Sequence, residues 1–147
     1  MTTTWSYKSQ DFTEEMIGDA YGFVYRITNT LTGKQYFGKK FFTKAKTLRR
    51  KKRNKKLRVQ SDWQTYWGSN DQLLADITQL GEEHFTREIL HLCASRGECS
   101  YWENYEIFVS HALLSSNYYN QWTSCKVHRS HLKNLTSRLT DSMIVVS

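Results

Sequence analysis

Tyr25 and Tyr36 stand eleven residues apart, in Phe23-Val24-Tyr25 and Tyr36-Phe37-Gly38, with Lys39 and Lys40 directly after. Two phenols set side by side next to lysines can hold and polarise a water near a phosphate. Far along the chain, Glu103 closes Ser100-Tyr101-Trp102-Glu103, and Asn120 follows Tyr119. A lone carboxylate is chemically sufficient to hold one hard divalent cation. Magnesium keeps several waters and often takes only one or two carboxylates plus substrate oxygens. Each residue has a plainer reading too. The tyrosines are also ordinary strand aromatics, Glu103 also completes a capping box with Ser100, and Asn120 also suits a turn. Glu106 reads as a solvated helix residue.

The elements that would position these groups are legible in part. Gly22 to Lys40 reads as two aromatic and β-branched runs around Asn29-Thr30-Leu31-Thr32-Gly33, which predicts a hairpin. An unbulged hairpin centred between Thr30 and Leu31 makes Tyr25 and Tyr36 cross-strand neighbours with both hydroxyls on one face. A helix is predicted to start at Ser69, with Ser69 and Gln72 as a capping box, Leu73, Ile77 and Leu80 on one face, and Gly81 as its end. Phe85 to Leu92 reads as a third strand. A second helix over roughly Cys99 to Leu113 would bury Trp102, Tyr105, Val109 and Ala112.

The 147 residues carry a formal charge of +7 at pH 7, enough for one domain with a modest core and an acidic partner. No acidic residue lies between Asp19 and Asp62, while Lys39 to Arg58 is dense in positive charge. Such repulsion predicts a segment partly mobile until a polyanion neutralises it. The first twenty residues read as a loose arm or a short packed helix. Trp63, Tyr66 and Trp67 beside the basic run read as exposed aromatics able to stack unpaired bases. No segment approaches the ~20 apolar residues of a membrane span, and no secretory signal is evident. Cys93, Cys99 and Cys125, with no Cys-x-x-Cys spacing, read as reduced thiols rather than zinc ligands in a cytoplasmic protein.

The order of these elements resembles the GIY-YIG nuclease family over about Gly22 to Asn120. Tyr25 matches the tyrosine of the first half-motif and Tyr36 that of the second. Phe23-Val24-Tyr25 stands where Gly-Ile-Tyr is commonest, and Tyr36-Phe37-Gly38 differs from the second half-motif by one apolar exchange. Glu103 occupies the place of the family's metal-binding glutamate, and Asn120 that of its closing asparagine. The family's arginine, about eight residues after the second half-motif, falls on Lys46. The basic run looks like an insertion there, leaving Arg49, Arg50 or Arg53 for that role, with Arg49 or Arg50 preferred. The closer likeness is to small, phage-encoded, homing-type members.

The resemblance implies an α+β fold: a small three-stranded antiparallel sheet flanked by helices, with a basic insertion after the second strand. The division expected is an arm over 1–20, a nuclease domain over 21–122 with its insertion at about 39–60, and an extension over 123–147. The implied activity is metal-dependent DNA endonuclease chemistry by direct water attack, with one Mg²⁺ or Mn²⁺ per site on Glu103 and no small-molecule cofactor. Tyr25 would orient or deprotonate the water, Lys39 would favour the ionised phenol, and Tyr36 would fix the water or the phosphate. An arginine, Arg49 or Arg50, would clamp the phosphate, and Asn120 would brace the site. Lys40, Lys44, Lys46, Lys51, Lys52, Arg53, Lys55, Lys56 and Arg58 would bind the backbone of DNA, with duplex the expected form. Monomer and homodimer stay open. The rival is a non-catalytic nucleic-acid-binding protein on the same scaffold.

Overall fold

The computed structural model describes residues 4–49, 53–135 and 138. Two sheets form. The larger has five strands rather than the three expected, in the order β2 (Gln10–Asp11), β1 (Ser6–Tyr7), β7 (Phe85–Cys93), β3 (Gly22–Asn29) and β4 (Gln35–Phe41). β3, β4 and β7 pair antiparallel, and β1 adds parallel to β7. The early polar residues therefore form two short strands and a short 3-10 helix over Glu14–Met16 rather than a loose arm. Trp5 drives this. Its indole is buried against Phe23 and Tyr25 and donates to the Trp63 carbonyl at 2.8 Å.

The helix α1 (Asp71–Leu80) buries Leu73 and Ile77 on one face of the sheet, with Trp5, Phe23 and Ile27. Its cap is Asn70, not Ser69: the Asn70 side chain accepts from the Leu73 amide at 2.9 Å. Gly81 ends it at φ +99°. The helix α2 (Arg96–Val109) covers the other face, where Val24, Phe37, Cys99 and Ile107 are buried. Its N-cap is Ser95, whose hydroxyl accepts from the Glu98 amide at 3.1 Å, while the Glu98 carboxylate accepts from the Ala94 amide just before the cap at 2.7 Å. Glu103 is thus free of any capping duty. The buried stripe differs from the one expected, since Tyr105 and Val109 are exposed while Cys99 and Ile107 face the sheet.

The described part of the basic run forms a second, two-stranded ribbon, β5 (Thr43–Leu48) against β6 (Lys55–Gln60). Its register explains how so much like charge pairs. Lys44 faces Val59, Ala45 faces Arg58, Lys46 faces Leu57, Thr47 faces Lys56 and Leu48 faces Lys55. No cation sits directly opposite another, the arrangement that costs most. Arg58 fastens the root by donating to the Thr43 carbonyl at 2.9 Å and lying over Tyr21. Among the described residues, no helix is long and apolar enough to cross a membrane.

Replacing Trp5 with alanine should cost about 3–5 kcal/mol, as for other large core truncations. Urea denaturation measures it, and an unchanged midpoint would mean that the first strands merely decorate the fold.

Candidate active site

Two strands of the hairpin supply the phenols, in a register two residues from the one expected. Asn29 is the reason. Its side-chain oxygen accepts from the amides of Leu31 and Thr32 at 3.0 and 3.3 Å, and Gly33 takes φ +78°. The turn centre moves one residue along the chain, so Tyr25 lies opposite Gly38, and Ile27 opposite Tyr36. A shift of two keeps every side chain on its face. The phenols are diagonal neighbours with ring centroids 6.2 Å apart. Gly38 makes room for Tyr25: a Cβ there would sit 2.3 Å from the Tyr25 hydroxyl.

The carboxylate comes from the far face. Residues of a strand alternate sides, so Tyr36 and Gly38 face the α1 layer while Phe37 and Lys39 face α2. β4 is the last strand of its sheet, and the two faces meet around its edge. There a cavity of about 270 Å³ is lined by Tyr25, Tyr36, Lys39, Tyr66, Glu103 and Asn120, among others. Glu103 lies between Cys99 and Ile107 on the buried stripe of α2, four residues from each, and its side chain is 18 % exposed. Lys39 Nζ lies 3.5 Å from Glu103 Oε1 and donates to Ser100 Oγ at 2.9 Å.

Burial sets the charge states. Tyr25 is 1 % exposed, so solvent meets it through the cavity alone. Desolvation, then the neighbouring Tyr36 and Tyr66 and the Glu103 charge, push its pKa well above that of a free phenol. Tyr36 is raised as well, mainly by burial, against a hydrogen bond from Ser69. Both are neutral phenols near neutral pH. The expectation that Lys39 favours an ionised Tyr25 is therefore corrected. The ammonium serves Glu103, whose pKa is raised by burial and held back by Lys39.

Asn120 spans the backbone of the edge strand. It accepts from the Phe37 amide at 3.0 Å and donates to the Phe37 carbonyl at 2.9 Å. Both amide atoms are committed, so its place in the cavity is that of a brace. Tyr119 anchors the same segment by donating to Asp76 at 2.7 Å. Of the arginines expected here, Arg49 is not brought in. Arg49 lies beyond the far end of β5, about 20 Å from the ribbon's root at ~3.3 Å per residue. Arg50, Lys51 and Lys52 lie outside the described residues. Among the described residues lining the cavity, Lys39 is the one cation. Lys44, Lys46 and Arg53 are exposed on the ribbon and its turn, and Lys55, Lys56 and Arg58 lie on β6. Lys40 pairs with Asp62 at 2.7 Å and sits over the Tyr66 ring.

Trp63 and Trp67 are core residues, which overturns their reading as exposed stacking aromatics. Tyr66 does reach the site: it lines the cavity and packs edge-on against the Tyr25 ring, with centroids 6.1 Å apart. Its carbonyl accepts from Arg87, whose guanidinium lies between the rings of Trp5 and Trp67. Ser69 and Trp122 also line the cavity and escaped sequence reasoning. Ser69 was absorbed into a helix cap, and Trp122 carried no periodic signal.

The donor set suits one hard cation. Among the described residues no three of His, Cys, Asp or Glu gather as a metal cluster. Glu103 contributes one carboxylate, and the cavity leaves room for waters and a phosphate oxygen. That combination fits Mg²⁺ or Mn²⁺ better than the closed nitrogen and sulfur sites of structural zinc.

A family model described as "Putative endonuclease segE, GIY-YIG domain" matches residues 5–123. No curated protein and no solved structure matches the chain.

Because the folded state holds the Glu103 proton more tightly than the unfolded chain, this group's contribution to stability is full at low pH. It declines as pH rises through the raised pKa. Glu103→Gln should thus be more stable than wild type at neutral pH, and the difference should vanish below about pH 4. Urea midpoints across pH measure this, and a variant weaker than wild type at neutral pH would contradict it.

Proposed function

We propose, from the premise that this chain belongs to the GIY-YIG family, that it is a DNA endonuclease cutting phosphodiesters by direct attack of water. The observation that carries the reading is one cavity at the edge of β4 lined by both motif tyrosines, Lys39 and Glu103. Glu103 would hold one Mg²⁺ or Mn²⁺. When bound, that ion supplies a positive charge to the scissile phosphate and to the departing 3′ oxygen.

The chain's own groups do the rest. Tyr36, at the cavity wall beside Ser69, hydrogen-bonds the attacking water or a phosphoryl oxygen. Tyr25, neutral and packed edge-on against Tyr66, positions the water in line with the bond to break. The water oxygen joins phosphorus and gives up a proton to solvent, the bond from phosphorus to the 3′ oxygen breaks and that oxygen takes up a proton from solvent, and a 5′ phosphate and a 3′ hydroxyl result. Lys39 favours the charged form of Glu103 against burial and adds positive field beside the phosphate. Asn120 fixes the edge strand that carries both Tyr36 and Lys39. The ribbon follows directly from β4, so its cations would grip duplex backbone next to the site.

Plasmid relaxation in Mg²⁺ tests the reading. Wild type should nick or linearise, while Glu103→Ala and Tyr36→Phe should lose about 10²- to 10³-fold in rate with DNA affinity kept. Equal binding and equal absence of cleavage in all three would make the chain a binding protein on this scaffold. Affinity for duplex should fall steeply with salt, and replacing Lys44 or Lys46 by alanine should each lower the slope by about one. Salt-independent binding would remove the ribbon from the interface.

A further inference from the structure

The mouth of the cavity carries a side chain that the nuclease chemistry leaves unused. Trp122 is 75 % exposed and lines the cavity that holds Tyr25, Tyr36 and Glu103. Four of the chain's five tryptophans behave conventionally: Trp5, Trp63 and Trp67 are buried, and Trp102 packs partly against His91. Leaving a whole indole in water forgoes a large burial gain.

Its exposure is fixed rather than incidental. Two residues before it, Asn120 is locked to the Phe37 backbone by two hydrogen bonds. On its other side, Thr123 donates to Asn104, which donates in turn to the Ser100 carbonyl of α2 at 2.7 Å. Only Gln121 and Trp122 span the gap between an anchor on the edge strand and an anchor on the helix. The bridge therefore holds a flat, apolar, electron-rich plate at the rim of a cavity whose walls carry a lysine and a carboxylate. A ribbon dense in cations rises from the end of the same edge strand.

A polyanion gripped by that ribbon and led to that cavity presents nucleobases beside its phosphates, and every base has a face that stacks on an aromatic plate. Apolar side chains also wedge between base steps of a duplex and unstack them. We infer that Trp122 stacks on the DNA base flanking the scissile phosphate, opening that step and setting the phosphate against Tyr36 and Glu103. The inference rests on the nuclease reading and gives it a base-contacting residue outside the motifs.

A double-mutant cycle tests it. The full chain carrying Glu103→Gln keeps the DNA uncut. This parent, with Trp122 intact, is compared with its Trp122→Phe and Trp122→Ala derivatives on a duplex whose cut position was mapped with the unmodified protein. Trp122→Ala should weaken binding roughly 5- to 150-fold. Trp122→Phe should stay within a few fold, and both should melt like the parent, because the side chain is exposed. An abasic residue beside the cut should erase the difference between the parent and Trp122→Ala, which a merely structural role would not do. DNA-induced quenching of tryptophan emission should disappear in Trp122→Phe. Trp122→Ala that binds like the Glu103→Gln parent in that background, and cuts like wild type when Glu103 is intact, would overturn the stacking role while leaving the nuclease standing. If the unmodified protein cuts no duplex, the nuclease reading falls, and quenching alone then decides: quenching lost with Trp122 supports the contact, and quenching that is absent or persists in Trp122→Phe overturns it.

Discussion

The ion pair between Lys39 and Glu103 at the edge of β4 is the constraint on which the site depends. Glu103 occupies a position of α2 that faces the sheet, between Cys99 and Ile107, where an apolar side chain would pack without cost. Burial there disfavours its charge, and Lys39 opposes that effect. The lysine can do so because it points to the α2 face, while its neighbours Tyr36 and Gly38 point to the other. An edge strand is where such a meeting is possible. A central strand would wall the carboxylate off from the phenols. Asn120 completes the device by satisfying the outward backbone groups of Phe37, so that the edge is closed there and open at the cavity.

Much of this was legible. The hairpin, α1 with its Leu73 and Ile77 face and Gly81 stop, and the third strand from Phe85 follow from periodicity and turn chemistry. What escaped has identifiable causes. The register slipped by two because the Asn29 side chain makes a turn of its own, a hydrogen-bonding choice that strand patterning does not reveal. The buried stripe of α2 was misplaced because a carboxylate, Glu103, sits within it, and apolar periodicity then favours the wrong face. β1 and β2 have two residues each, too short for any alternation to register.

The basic run holds a ribbon that charge counting alone does not reveal. Counting like charges along the chain suggests repulsion and mobility. Pairing the two strands shows every cation opposite a neutral partner, with Thr43, Thr47, Leu57 and Val59 supplying residues that suit a strand. The same pairing leaves Lys44, Lys46 and Arg58 exposed. It also carries Arg49 away from the cavity, which leaves Lys39 as the cation at the chemistry among the described residues there. Tyr66 and Trp122 join the site from segments without periodic signal, one through its ring contact with Tyr25 and one through its anchored exposure.

The account turns on a single place where cation, phenols and phosphate meet. Crystals of the Tyr36→Phe chain bound to duplex DNA, soaked in Mn²⁺ and measured for anomalous scattering, would locate it. The account predicts one manganese directly on a Glu103 carboxylate oxygen and on a phosphate oxygen that also lies within reach of Tyr25. A manganese bound elsewhere with Glu103 still paired to Lys39 alone, or a backbone that passes the cavity by, would contradict it.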